Sequence, residues 1–160
     1  MFFYLHIPFC RQKCLYCKFA LTPRFDDMKV RVYIDALKKE IGDFFNIHPD
    51  ASIETLYFGG GTPSVLSVAQ IGEIIEIFSH QKGFSYIREI TLESNPEDIT
   101  PEYIEGLHRL GVNRLSLGVQ TLNSESLRMI GRADSNESIF RAFESIVNGP
   151  IANVSVDLIA

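Results

Sequence analysis

The sequence predicts an α/β protein built from βαβ units on a parallel sheet. Short strand-like apolar runs alternate with amphipathic helical segments along the chain. Helix starts carry capping patterns, and polar residues recur at or just past the C-terminal end of each predicted strand.

Phe2 to His6 reads as a first strand. Lys29 to Phe45 has helical spacing, with Val30, Tyr33, Leu37, Ile41 and Phe44 on one face. Glu54 to Phe58 is a second strand and runs into Gly59-Gly60-Gly61. A helix then starts at Ser67, with Gln70 three residues on as a capping box. It should bury Ile71, Ile74, Ile75 and Phe78 and stop at Gly83. Arg88 to Glu93 is a third strand, and Thr100-Pro101 opens a helix that Gly111 closes. Val112 to Gly118 is a fourth strand, followed by helical pieces near Ser124–Ile130 and Glu137–Val147. Val154 to Ile159 is a fifth strand.

There is no linker or low-complexity tract, so residues 1–160 read as a single domain. An eight-unit parallel barrel needs about 250 residues, and even six units need more than this chain has. The chain therefore reads as cut short after about five strands. Its last strand is expected to be an edge, poorly held, and the protein prone to associate.

The net charge of −5 favours neither nucleic acid nor an anionic membrane surface. No apolar run reaches the length of a membrane span, and the N-terminus lacks the features of a signal peptide. The expected compartment is the cytoplasm. In a reducing compartment, three cysteines crowded near the N-terminus point to metal binding or redox work and not to disulfides.

Those cysteines form Cys10-x-x-x-Cys14-x-x-Cys17. Thiolates are soft ligands suited to iron–sulfur clusters or zinc. A [4Fe–4S] cluster normally takes four cysteines, so three leave one iron open to an outside molecule. A zinc site with His6 as fourth ligand is the alternative, although zinc sites usually pair ligands well apart in sequence. Gly59-Gly60-Gly61-Thr62-Pro63 follows a strand and would let the backbone approach a ligand closely. Taken alone it is equally a tight βα turn. Glu93, Gln120 and Asp157 sit at strand ends in otherwise apolar surroundings, where a buried acid or amide needs partners. Ligands of parallel α/β folds bind at that edge of the sheet, so one shared site accounts for these positions. His48, His80 and His108 read as ordinary surface or helix-end residues, and Lys38-Lys39-Glu40 as a solvated helix face.

Several blocks together carry a family resemblance. They are Tyr4-Leu5-His6-Ile7-Pro8-Phe9-Cys10 with the cysteine loop, Gly59–Pro63, Glu93-Ser94-Asn95-Pro96, Ser116-Leu117-Gly118-Val119-Gln120, Gly131-Arg132 and Val156-Asp157-Leu158-Ile159. In this order they resemble radical S-adenosylmethionine (SAM) proteins of the oxygen-independent coproporphyrinogen III oxidase-like family. The resemblance implies a partial parallel (β/α)6 barrel, of which this chain would hold the N-terminal part, without the sixth unit and the C-terminal region. It implies that Cys10, Cys14 and Cys17 ligate a [4Fe–4S] cluster whose fourth iron SAM chelates. Tyr4 and Tyr16 would lie beside cluster and cofactor. Gly60, Gly61 and Thr62 would contact the methionine end, and Glu93 the SAM group. Gln120 and Asp157 would hold its ribose or adenosine part, and Arg132 its carboxylate; the alternative for Arg132 is a solvated helix-end charge. Reduced by a donor such as flavodoxin or ferredoxin, the cluster would cleave SAM to methionine and a 5′-deoxyadenosyl radical. No catalytic side chain is assigned.

One departure bears on function. The oxidases of this family have a further cysteine two residues after the third, where this sequence has Phe19. Cys17-Lys18-Phe19 resembles the haem-chaperone branch instead, which implies haem or a porphyrin as partner. The alternatives are an active coproporphyrinogen III oxidase and a non-catalytic metal-binding domain.

Overall fold

The computed structural model describes residues 1–80 and 87–159. Five parallel strands form one sheet in chain order: β1 (Phe2–Ile7), β2 (Thr55–Gly60), β3 (Glu89–Ser94), β4 (Arg114–Gln120) and β5 (Asn153–Leu158). Helix α1 (Asp27–Ile47) joins the first two strands, α2 (Val68–Ser79) follows β2, and α3 (Pro101–Arg109) follows β3. Two helices, α4 (Ser124–Met129) and α5 (Asn136–Val147), lie between β4 and β5. The sheet is the arc of an open barrel and does not close, since β1 and β5 stand at opposite ends of the strand order. Among the described residues no helix is long and apolar enough to cross a membrane.

Local chemistry starts α2 and α3 where the sequence predicts, whereas α1 starts two residues before the predicted Lys29, capped by Asp26. Ser67 and Gln70 complete both hydrogen bonds of a capping box at α2. The Thr100 side chain accepts the Tyr103 amide at α3, with Pro101 in the first turn. Helix α2 buries Ile71, Ile74, Ile75 and Phe78, as its spacing requires; it ends at Ser79, and Gly83 lies outside the described residues. Helix α1 differs in detail. Its buried stripe is Val30, Ile34, Leu37, Ile41 and Phe45. Tyr33 and Phe44, predicted for that face, flank it half-buried, with Tyr33 edge-on to Phe9 and Phe44 edge-on to Phe3.

Strand alternation divides the sheet into two unlike faces. Phe3, Leu56, Ile90 and Leu115 belong to the helix-covered core with Leu5, Phe58, Leu92 and Leu117. The residues between them are polar: Tyr4 stands beside Tyr57, Tyr57 beside Thr91, Thr91 beside Arg114 and Arg114 beside Asn153. The next row up is His6, Gly59, Glu93, Ser116 and Ser155. This inner face is held by its own hydrogen bonds, such as Thr91 to Glu89 at 2.9 Å and Ser155 to Ser116 at 2.9 Å. Strand β5 pairs with β4 over six register positions and is the outer edge of the sheet. Its Leu158 is 68% exposed, because no described element covers its outer face.

Candidate functional site

The inner face opens at the C-terminal ends of the strands into a cavity of about 230 Å³. That is just under the roughly 300–1,000 Å³ usual for small-molecule sites. Its wall brings together eleven of the twelve residues singled out from sequence: Cys10, Cys14, Cys17, Tyr16, Gly60, Gly61, Thr62, Glu93, Gln120, Arg132 and Asp157. Tyr4 is not on the wall. It is 53% exposed lower on β1 and stacks on Tyr57, ring centroids 5.8 Å apart. Gln12, Leu21, Ser94, Asn95, Ser116, Gly118 and Phe19 complete the lining.

The cysteines come from the segment after β1, a loop fastened at three points. Arg11 is paired with the buried Asp98. The Gln12 amide group donates to the Gly131 carbonyl at 2.9 Å, and the Leu15 N–H to the Ile130 carbonyl at 3.0 Å. Burial pushes the Cys10 thiol pKa up. Thr62 opposes the shift, while Cys17 and Cys14 add to it through their own charge. The thiols are thus near enough to feel one another. Tyr16, beside Cys14, has its hydroxyl pKa pushed up to about 12, first by burial.

Among the described residues no three His, Cys, Asp or Glu side chains converge closely enough to hold one metal ion. A cube with a separate iron for each thiolate needs no such convergence, whereas tetrahedral zinc does. His6, the fourth ligand of the zinc alternative, has Nε2 at the Ala20 carbonyl, 3.0 Å away. Three soft thiolate donors from one loop, all on the same cavity wall, suit three irons of a cluster.

The glycine turn is built for close approach. Gly60 has φ +109°, and a Cβ there would lie 2.5 Å from His6 Nδ1. At Gly61 a Cβ would lie 2.6 Å from the Phe9 carbonyl oxygen and 2.7 Å from that of Ile7. Both contacts follow from backbone bonds that lock the turn to the strand one exit: Gly61 N–H to Ile7 at 2.7 Å and Thr62 N–H to Phe9 at 2.8 Å. Glu93 accepts the Gly60 N–H at 3.1 Å and the Tyr57 hydroxyl at 2.8 Å. The half-buried acid thus has the partners its setting demands.

Gln120, Asp157 and Arg132 form the side of the cavity near the ends of β4 and β5. Gln120 has φ +66°, a left-handed conformation that costs a non-glycine residue energy and is commonest at functional sites. It falls at a register shift between β4 and β5, where the Ile159 N–H reaches the Gln120 carbonyl at 2.8 Å. Asp157 accepts from the Ser116 hydroxyl at 3.2 Å. Arg132 is no solvated helix-end charge, since its side chain is only 7% exposed. It pairs with the 4% exposed Asp134 at 2.8 Å and donates to Asn95 at 3.0 Å and to the Gly118 carbonyl. The Gly131-Arg132 pair has a structural logic. Gly131, at φ +74°, closes α4, with the Arg132 N–H on the Leu127 carbonyl at 2.9 Å and the Gly131 N–H on Arg128 at 3.1 Å.

The family model described as Radical SAM superfamily matches residues 4–159. The heme chaperone HemW of Lactococcus lactis is 36% identical over 156 residues, covering 98% of this chain and 40% of that protein. The oxygen-independent coproporphyrinogen III oxidase of Salmonella typhimurium is 33% identical, covering 98% of this chain and 34% of its own. Among solved structures, the coproporphyrinogen III oxidase HemN from Escherichia coli superposes with a TM-score of 0.88 at 31% identity, over 98% of this chain and 36% of that one. The chain thus spans well under half the length of the curated relatives it matches.

Proposed function

The chain belongs to the radical SAM superfamily, and from that premise we propose that it binds a [4Fe–4S] cluster through Cys10, Cys14 and Cys17 and SAM along the strand ends. The observation that carries the reading is the sharing of one cavity wall by the three thiols, the glycine turn, Glu93, Gln120 and Asp157. When bound, the pair supplies one-electron reductive cleavage of SAM; the protein binds, orients and excludes competing chemistry.

The residues divide that work. Cys10, Cys14 and Cys17 hold three irons and leave one without a protein ligand. Gly60, Gly61 and Thr62 let the backbone approach the methionine end, and Glu93, already tied to the Gly60 N–H, faces the same group. Gln120 and Asp157 supply an amide and a carboxylate for the ribose or adenosine part. Arg132 offers positive charge for the SAM carboxylate, moderated by Asp134. Tyr16 stays protonated through the physiological range, so it presents a hydroxyl and not a phenolate beside the thiols.

The domain is the radical SAM core over residues 1–160, and the wider role is in haem or porphyrin metabolism on the haem-chaperone side. Phe19 supports that side: it lines the cavity where a cysteine marks the oxidases, and a phenyl ring ligates nothing. Haem or a porphyrin is then the partner, with a small redox protein as electron donor. The oxidase reading rests on the superposition on HemN, and formation of protoporphyrinogen in an anaerobic assay with reductant and SAM would favour it.

SAM binding is tested by electron paramagnetic resonance (EPR). Adding SAM to the reduced, reconstituted protein should change the cluster spectrum. Gln120→Ala and Asp157→Ala should each weaken the SAM response without loss of iron. Unchanged SAM affinity in both variants would remove those two roles.

A further inference from the structure

Two side chains, Asn95 and Thr62, connect the buried arginine to the cysteine loop. Arg132 Nη1 lies 3.0 Å from Asn95 Oδ1, Asn95 Nδ2 lies 3.5 Å from Thr62 Oγ1, and Thr62 Oγ1 lies 3.2 Å from Cys10 Sγ. The direction of each bond follows from chemistry. A guanidinium has only donors, so Asn95 Oδ1 must accept and its amide nitrogen is turned toward Thr62. Thr62 Oγ1 accepts from that nitrogen, which leaves its own hydroxyl hydrogen for Cys10. A cluster-bound cysteine is a thiolate without a proton, so it can only accept.

We propose that Arg132, Asn95 and Thr62 form a one-way donor relay that ends on Cys10 Sγ and raises the reduction potential of the cluster. The proposal rests on the reading of Cys10, Cys14 and Cys17 as cluster ligands. A hydrogen bond to a ligating sulfur draws off negative charge, and it does so most in the reduced state, which carries one more electron. The site suits such an effect, because Thr62, Cys10 and the Arg132 side chain are all nearly buried and water screens them little. Thr62 is also held independently of its hydroxyl, its N–H on the Phe9 carbonyl at 2.8 Å and its carbonyl on the Val65 N–H at 3.0 Å. Loss of the hydroxyl therefore leaves the turn in place. Thr62 and Asn95 act here as positioning and tuning residues through Cys10. The relay also gives a role to Asn95, which lines the cavity with no ligand role assigned to it.

The test is a redox titration of the reconstituted full chain in the absence of SAM, followed by EPR, with iron content measured on the same samples. Thr62→Val keeps the shape and removes the donor, and should move the midpoint to a more negative potential. Thr62→Ser should restore it. Asn95→Leu should shift it the same way by less, and it carries the test if Thr62→Val fails to retain iron. An unchanged midpoint in iron-replete Thr62→Val, or a Thr62→Ser midpoint as low as that of the valine variant, would overturn the relay alone. A wild-type chain that takes up no [4Fe–4S] cluster would overturn the parent reading and the relay with it.

Discussion

The Leu15 N–H donates to the Ile130 carbonyl at 3.0 Å, which anchors the middle of the cysteine loop on the end of α4. Residues 115 positions apart are brought together by a helix stop, and the stop depends on Gly131. Its φ of +74° is left-handed, so Gly131→Ala should destabilise the protein by about 1–2 kcal/mol. A Cβ there meets nothing nearer than Leu15 Cγ at 3.4 Å, so backbone strain dominates over crowding. Gly131→Asn should cost less, since asparagine visits that conformation more readily. Denaturant midpoints give the order glycine, asparagine, alanine, and iron retention after reconstitution should follow it. Equal midpoints for all three would show that the turn does not hold the loop.

Glu97 makes stability depend on pH. Burial raises its carboxyl pKa from the usual 4.5, with Asp98 and Asp134 adding to the shift and Arg11 and Arg132 opposing it. A raised acid favours the folded state while protonated, and that contribution fades as pH rises from 4.5 through the raised folded value. Glu97→Gln removes the loss. The pair with Arg11, at 3.6 Å and half-exposed, is worth little in return. The variant should melt above wild type at pH 7, and the gap should close by pH 4. A variant less stable than wild type at pH 7 would mean that the Arg11 pair outweighs burial.

Much of this architecture can be read from local patterns. Ser67 with Gln70, and Thr100 with Pro101, fix helix starts through bonds between residues three apart, so sequence alone suffices. The strand ends led to the same cavity because β-strands of a parallel sheet all point one way, and a polar residue at each end meets the others. The positions that escaped notice depend on long-range closure. Gln12 reaches Gly131 across 119 residues, and Arg11 reaches Asp98 across 87. Asn95 stood inside a quoted motif, yet its role needs the Arg132 side chain to turn its amide. On α1, Tyr33 with Phe44 and Ile34 with Phe45 fit a helical period equally well. The tertiary packing of the helix on the sheet buries the second pair and leaves the first half-buried. The inner-face residues Thr91, Ser116 and Ser155 stand among apolar neighbours, whose alternation with them becomes plain once register is known.

The central claim is that three thiolates of one loop hold a four-iron cluster. Anaerobic reconstitution with iron and sulfide, followed by iron and sulfide analysis and an absorption spectrum, tests it most directly. The account predicts about four irons and four sulfides per chain with [4Fe–4S] absorption, all lost in Cys14→Ala. One equivalent of zinc, with no iron taken up under the same conditions, would contradict it.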